Sequence, residues 1–340
     1  MLIGHGNHTA DLNKSIQIDF SSNIWYGRLN NDLLKHLQLS LAKICNYPTV
    51  DASDLQKEVA GHYHLNQDNV CVTSGATEAF YLIAHAFKNC SSSILCPSFS
   101  EYTDAANMYQ HEVSFVSNSE VSSSLKFISQ LVWIGNPNNP DAKLISPDTI
   151  EDLLKGNPQS IFIIDEAYGE LCYGFQSAEE LIGKYENLVV IKSVTKLCSI
   201  PGLRLGYILS NADLIKKVAA YRMPWSVSTM ALEAGRFIFK HYSDFSLDTK
   251  QLNEESLLFQ KQLAAVDGLK VYPSPTNYFL IELHNRTAAE LKEYLVDNYG
   301  ILIRDCANFY GLSKHHFRLA IQGKANNELC VEAISKFIHK

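Results

Sequence analysis

Ser193 to Tyr207, SVTKLCSIPGLRLGY, is the stretch on which the reading of this chain turns. The apolar run before it, Leu188 to Ile191, has the composition of a buried strand and delivers the chain to two small hydroxyls, Ser193 and Thr195. Lys196 follows directly, and Arg204 comes after Pro201 and Gly202. An ammonium at the end of a core strand is costly to bury unless it is paired or neutralised. A lysine that condenses with an aldehyde to an imine escapes that cost, and enzymes use such lysines for covalent chemistry. Hydroxyls at 193 and 195 with a guanidinium at 204 suit a phosphate dianion. An imine-forming lysine beside a phosphate cradle is the combination pyridoxal phosphate requires. Alone, the stretch reads equally as an ordinary surface lysine behind a strand.

Working outward, short β-rich runs alternate with helical segments from about residue 70 to 210. The runs are VCVT (70–73), SILC (93–96), EVSFV (112–116), LVWI (131–134), SIFII (160–164), LVVI (188–191) and LGYIL (205–209). Nearly continuous apolar runs of this length mark strands covered on both faces. Their alternation with helices such as Thr77 to Lys88 predicts a mostly parallel seven-stranded sheet in an α/β layered domain. In such sheets ligands bind beyond the carboxyl ends of the strands. Ser74-Gly75-Ala76-Thr77, Asn136 to Pro140, Asp165 to Tyr168 and Ser193 to Lys196 each lie just after a run. Upstream, helical faces are expected over Asp32 to Ile44 and Asp54 to His64. After Tyr221 to Trp225, long helices (about 228–241 and 247–266) lead to NYFLIEL, a helix from Thr287 to Asn298, ILIRD, FRLAI and a final helix, which reads as a smaller α+β domain. The expected division is an arm over 1–26, a large domain over 27–227 and a small domain over 228–340. Residues 1–26 show neither helical nor strand periodicity, and their plain reading is a frayed terminus.

Composition narrows the function classes. With 340 residues, 46% hydrophobic and 19% charged, the chain can bury a large core. A formal net charge of −7 leaves no basic footprint for nucleic acid. The N-terminal MLIGHGNHTADLNK has no basic segment followed by an apolar one, and runs such as IFII are too short to span a bilayer. Eight cysteines without a C-x-x-C pair argue against zinc and a disulfide framework, and His315-His316 lacks a third ligand nearby, so no metal is expected. Reduced thiols in a cytoplasmic protein are the plain reading.

Other residues carry paired readings. Ser74 to Glu78 opens a helix whose free N–H groups suit an anion, with Gly75 permitting close approach; Ser74 or Thr77 merely capping that helix looks similar. Asp165 ends an apolar strand and needs a partner there, which a protonated pyridine nitrogen would supply; the alternative is a helix cap. Asn136 to Pro140 is a turn on composition, or an amide donor toward the cofactor's phenolic oxygen shared with Tyr168. Arg304 and Arg318 are surface charges, or a pair that binds carboxylate or phosphate bidentately.

With Asn139-Pro140, Asp165-x-x-Tyr168, Ser193-x-Thr195-Lys196 and Arg204 in this order, the chain resembles the fold-type I pyridoxal-phosphate enzymes. It is similar to the class II aminotransferases around histidinol-phosphate aminotransferase. Within that group, HG-N at 5–7, DFSSN at 19–23, TKLCSIPGLRLGY at 195–207, MPWSVS at 223–228, LIRDCANFYGL at 302–312 and FRLAI resemble the threonine-phosphate decarboxylases of the cobalamin pathway. The resemblance implies that Lys196 is the imine lysine and proton carrier. Asp165 would pair with the ring nitrogen, Asn139 and Tyr168 would contact the ring hydroxyl, and Phe99 would stack on the ring. Gly75, Ala76, Thr77, Ser193, Thr195 and Arg204 would hold the cofactor phosphate, and Tyr47 would reach across from the partner subunit of a homodimer. His5, Gly6, Asn23, Asn139, Arg304 and Arg318 would bind a small phosphorylated amino acid or amine. Two departures stand out: HGNH is one glycine short of the usual HGGN, and NPDA replaces NPTG.

The resemblance implies decarboxylation of L-threonine O-3-phosphate to (R)-1-amino-2-propanol phosphate, with transamination of histidinol phosphate as the alternative. The fold itself accommodates both. A cofactor-binding regulator without turnover is a third reading, against which stands the lack of a DNA-binding extension ahead of the catalytic-type domain.

Overall fold

A computed structural model describes residues 15–27 and 29–340. In chain order the strands are β1 (Ile18–Asp19), β2 (Val70–Thr73), β3 (Ser91–Cys96), β4 (Glu112–Ser117), β5 (Leu131–Gly135), β6 (Ile161–Asp165), β7 (Leu188–Lys192), β8 (Gly206–Ser210), β9 (Leu269–Val271), β10 (Tyr278–Leu283), β11 (Ile301–Leu302), β12 (Arg304–Asp305) and β13 (His316–Ala320). β2 to β8 build one seven-stranded sheet in the order β2-β8-β7-β6-β5-β3-β4. Its pairings are parallel except at β8, which runs antiparallel to both β2 and β7. This is the mostly parallel, seven-stranded α/β sheet expected from the runs.

Alternating residues of the central strands feed two cores. Val132, Ile134, Phe162, Ile164, Leu188 and Val190 join the core on one face. Leu131, Trp133, Ile163, Val189 and Ile191 join the core on the other. Both faces of the sheet are therefore covered by helices, which is why these strands read as unbroken apolar runs. Helix entries follow capping chemistry: Asn30 accepts from the N–H groups of Asp32 and Leu33, and Thr287 and Glu290 form a capping box. The helix expected over Asp32 to Ile44 is α-helical only over Asn31–Ser40 and tightens to a 3₁₀ turn over Leu41–Cys45.

A second, four-stranded antiparallel sheet runs β12-β13-β10-β9. The helix Thr229–Lys240 packs against the helices Asn31–Ser40 and Ser53–His62. Residues 15–27 are no frayed end. β1 pairs parallel with β11, Phe20 is fully buried, the Ala320 N–H donates to the Phe20 carbonyl, and the Trp25 N–H reaches the Lys196 carbonyl at 3.2 Å. The strap thus ties the four-stranded sheet to the Lys196 turn. Among the described residues no helix is long and apolar enough to cross a membrane, and no cluster of His, Cys, Asp and Glu is arranged to hold a metal.

Candidate active site

β5, β6 and β7 run parallel in register, Gly135 beside Asp165 and Asp165 beside Ile191, so their carboxyl ends open at one edge. Asn139, Asp165, Tyr168, Ser193, Thr195 and Lys196 line a single cavity there, with Ala76, Thr77, Phe99 and Arg204. Gly75 abuts it.

Lys196 lies on the short turn Val194–Leu197, where the Ser193 side chain accepts from the Thr195 N–H. Among the described residues its Nζ has no hydrogen-bond or ion-pair partner; it lies 5.7 Å from the Tyr168 ring centre. Lys192 makes the contrast. Its Nζ is buried against Glu166 at 3.1 Å, Glu170 at 3.8 Å and Glu179. Burial works against that charge, yet the carboxylates hold the ammonium above its ordinary range. Lys192 borders a separate cavity of about 680 Å³ and is already neutralised. Of the two lysines, Lys196 is the one left with a free amine facing the strand ends.

The cradle beside it depends on two glycines. Gly75 opens the helix Gly75–Ala86 at φ +81°, and a Cβ there would collide with the Arg204 guanidinium. At Gly206 a Cβ would fall 2.6 Å from the Ala76 nitrogen, so β8 lies flush against the start of that helix. Arg204, itself in the left-handed region at φ +56°, is fixed by a 3.1 Å bond to the Pro201 carbonyl. Ser193 Oγ and Thr195 Oγ1 lie 2.8 Å apart. Helix N–H groups, hydroxyls and a guanidinium converge as an anion site. Ser74 makes no side-chain cap; its backbone N–H donates to Glu78 instead, at 2.5 Å.

Asp165 is buried at the end of β6. Burial pushes its carboxyl above the ordinary value, while hydrogen bonds from Tyr102 Oη (2.5 Å) and the Ala167 N–H (3.0 Å) and the nearby Lys196 charge pull it back. The Ala167 bond is a local turn contact, and no helix starts there. The residues fit pyridoxal phosphate: a free amine, a buried carboxylate and an anion cradle shaped by Gly75 share one cavity.

The arginines come next. Arg304 on β12 and Arg318 on β13 are direct cross-strand partners, 8% and 5% exposed. Arg318 donates to Asn139 Oδ1 and to the Ser21 carbonyl (2.6 Å), so it reaches from the small sheet to the strap and the Asn139 turn. Arg304 donates to Asn308 Oδ1 at 2.9 Å. Neither forms an ion pair among the described residues. Burial and the neighbouring Arg318 push Arg304 down to about 10. They are not the solvated surface charges that their sequence setting allows. Asn23 is 2% exposed, and among the described residues both its side-chain amide atoms lack a hydrogen-bond partner, as does Arg318 Nε. Buried polar atoms without partners point to a ligand contact. His5 and Gly6 lie outside the described residues. Tyr47 stands away from the cavity, 85% exposed beside Trp225.

Tyr102 and the Lys192 cluster escape the sequence reading. Tyr102 follows Phe99 at helical spacing, which is the signal that the two share a face. Lys192 ends an apolar run, and its three carboxylate partners lie on the chain after β6, so its position alone offers no such signal.

The family model for class I and II aminotransferases matches residues 15–337. A protein of Caldanaerobacter subterraneus subsp. tengcongensis, provisionally named threonine-phosphate decarboxylase, is 32% identical over 89% of this chain and 84% of its own. The crystal structure of L-threonine-O-3-phosphate decarboxylase from Porphyromonas gingivalis is similar with a TM-score of 0.92 and 38% identity, covering 95% of this chain and 100% of that one. The histidinol-phosphate aminotransferase structure from Clostridium acetobutylicum is similar with a TM-score of 0.84 and 26% identity, covering 94% and 98%.

Proposed function

This chain belongs to the class I and II aminotransferase family, whose enzymes depend on pyridoxal phosphate, and within it we propose that it decarboxylates L-threonine O-3-phosphate to (R)-1-amino-2-propanol phosphate. The observation that carries the reading is the buried pair Arg304 and Arg318, cross-strand neighbours without a carboxylate partner among the described residues. Two adjacent guanidiniums suit a dianion better than a single carboxylate. Likeness to the Porphyromonas gingivalis decarboxylase over nearly the whole chain supports it.

Bound in the cavity, pyridoxal phosphate supplies a conjugated, protonated ring that accepts the electron pair left at the substrate's α-carbon. Lys196 would hold the cofactor's aldehyde and deliver a proton to that carbon once carbon dioxide has left. Asp165 would keep the ring nitrogen protonated. Ser193, Thr195, Arg204 and the N–H groups of Gly75, Ala76 and Thr77 would grip the cofactor phosphate. With its Oδ1 taken by Arg318, Asn139 would offer its amide N–H₂ to the ring hydroxyl beside Tyr168. Arg304, Arg318 and Asn23 would clamp the substrate. Which bond breaks is a matter of alignment: anchoring the phosphate leaves the carboxylate free to stand across the ring.

The active unit in this reading is a homodimer. Tyr47 is exposed beside the exposed Trp225, ring centres 5.2 Å apart, apolar surface of the kind that protein partners cover. The decisive experiment incubates the holoenzyme with phosphothreonine in the absence of a keto acid, and separately with histidinol phosphate and 2-oxoglutarate. Carbon dioxide release in the first is expected. Glutamate formation in the second without release in the first would replace this reading with an aminotransferase.

A further inference from the structure

We propose that Tyr102 is a positioning residue for the reaction, gripping Asp165 from across β5 and aiming its ionised carboxylate at the cofactor's ring nitrogen. The proposal rests on the reading of Asp165 as the partner of that nitrogen.

The geometry begins at Gly135. β5 lies between β3 and β6, with Gly135 paired to Asp165 at the strand ends. A Cβ at 135 would clash with Asn138 Oδ1 at 2.8 Å and would already touch Tyr102 Oη at 3.4 Å, so the phenol passes close over the bare end of β5. There Tyr102, on the helix Ser100–Met108, donates to Asp165 Oδ2 at 2.5 Å. The other oxygen, Oδ1, accepts from the Ala167 N–H. Each oxygen thus has one fixed donor, which sets the plane of the carboxylate and leaves its remaining lone pairs to the cavity.

The tyrosine itself is immobilised. It is 2% exposed, its ring stacks on Trp133 (5.9 Å, 19°) and meets Phe80 (4.9 Å, 86°) and Phe99 (6.1 Å, 89°) edge-on. Packing alone needs only a phenyl ring at this position. Among the described residues the hydroxyl's one hydrogen-bond partner is Asp165, and a phenol donating to a buried carboxylate is a charge-assisted bond that favours the ionised form. The same ring borders Phe99, the expected stacking wall. Tyr102 therefore couples the two surfaces that a bound pyridine would meet.

The titratable groups facing Asp165 are Tyr102 from its helix and Lys196 from the turn after β7, with Tyr168 lining the same cavity. Removing the phenol oxygen makes the carboxylate harder to ionise, so the acid side of cofactor binding should move to higher pH. The test uses apoenzyme and pyridoxamine 5′-phosphate, which cannot join covalently to Lys196, titrated by calorimetry across mildly acidic to mildly alkaline pH. Tyr102→Phe should weaken binding about ten- to a hundred-fold near neutrality and shift the acid limb upward. Replacing Tyr102 by 3-fluorotyrosine, a stronger donor, should shift the limb the opposite way, which no purely structural role of the ring would do. Binding and acid limb unchanged in both variants, while Asp165→Asn binds poorly, would overturn the role of Tyr102 alone. Unchanged binding in Asp165→Asn as well would overturn the reading of Asp165 and this proposal with it.

Discussion

Replacing Arg304 by methionine should make the protein more stable and the enzyme worse. Held down to about 10 by burial and by Arg318, the Arg304 guanidinium costs the substrate-free protein roughly 3 kcal/mol. Methionine keeps a long unbranched side chain beside Phe309, whose ring centre lies 5.1 Å from the guanidinium carbon, but loses the 2.9 Å bond to Asn308. That bond returns roughly 1.5–3 kcal/mol of the cost. The net expectation is a stabilisation of about 1 kcal/mol, in line with other replacements of buried charge by apolar side chains. The melting midpoint of the substrate-free holoenzyme should rise by about 2 °C. Phosphothreonine then loses one charge-assisted anchor, worth about ten- to more than a hundred-fold in affinity, whereas unphosphorylated threonine loses nothing it had. The assay is the ratio of turnover efficiencies for the two substrates, with a calorimetric melt beside it. A lower melting midpoint together with an unchanged ratio would refute the reasoning: Arg304 would then be a structural residue serving the Asn308 loop.

The remaining predictions concern the lysines, Asp165 and Tyr47. Lys196→Ala should abolish the yellow chromophore and borohydride labelling. Lys192→Ala should keep both yet destabilise the fold by about 3–5 kcal/mol, because it strands the fully buried Glu166; labelling of any lysine other than Lys196 reverses the assignment. Asp165→Asn should fold, bind cofactor weakly and lose most turnover, as the amide cannot stabilise a positive ring nitrogen. Because burial raises the native carboxyl above its unfolded value, its favourable contribution is present at low pH and lost as pH rises through the native value. The apoprotein of Asp165→Asn should therefore melt higher than wild type at neutral pH, with the gain vanishing toward acid; a uniform difference across pH would contradict this. For Tyr47, mixing Tyr47→Phe with Lys196→Ala chains should restore activity in the hybrid dimer, and no recovery after subunit exchange would count against shared sites.

The strands were legible in the sequence because burial on both faces leaves no polar alternation, so LVWI, SIFII and LVVI stand out as runs. The motif residues at their carboxyl ends were legible for a related reason. A carboxylate ending a core strand, as Asp165 does, is expensive to bury, and a ligand shared with Lys196 and Arg204 accounts for all three. Position along the chain could not separate Lys196 from Lys192, since the difference lies in what each amine meets. One finds Glu166, Glu170 and Glu179, brought by the chain after β6, and the other finds the cavity. Nor could it make a pair of Arg304 and Arg318, whose adjacency follows from the antiparallel register of β12 and β13. The same holds for Tyr102 and Asp165, which are far apart in the chain and meet over the end of β5, between β3 and β6. The strap over 15–27 leaves no periodicity in the sequence because its contacts, to β11, β13 and the Lys196 turn, are all distant along the chain. Periodicity and residue cost are local properties, and a sequence carries them outright. Charge neutralisation and hydrogen-bond partnership depend on which distant segments the folded chain sets side by side, and tertiary structure alone decides that.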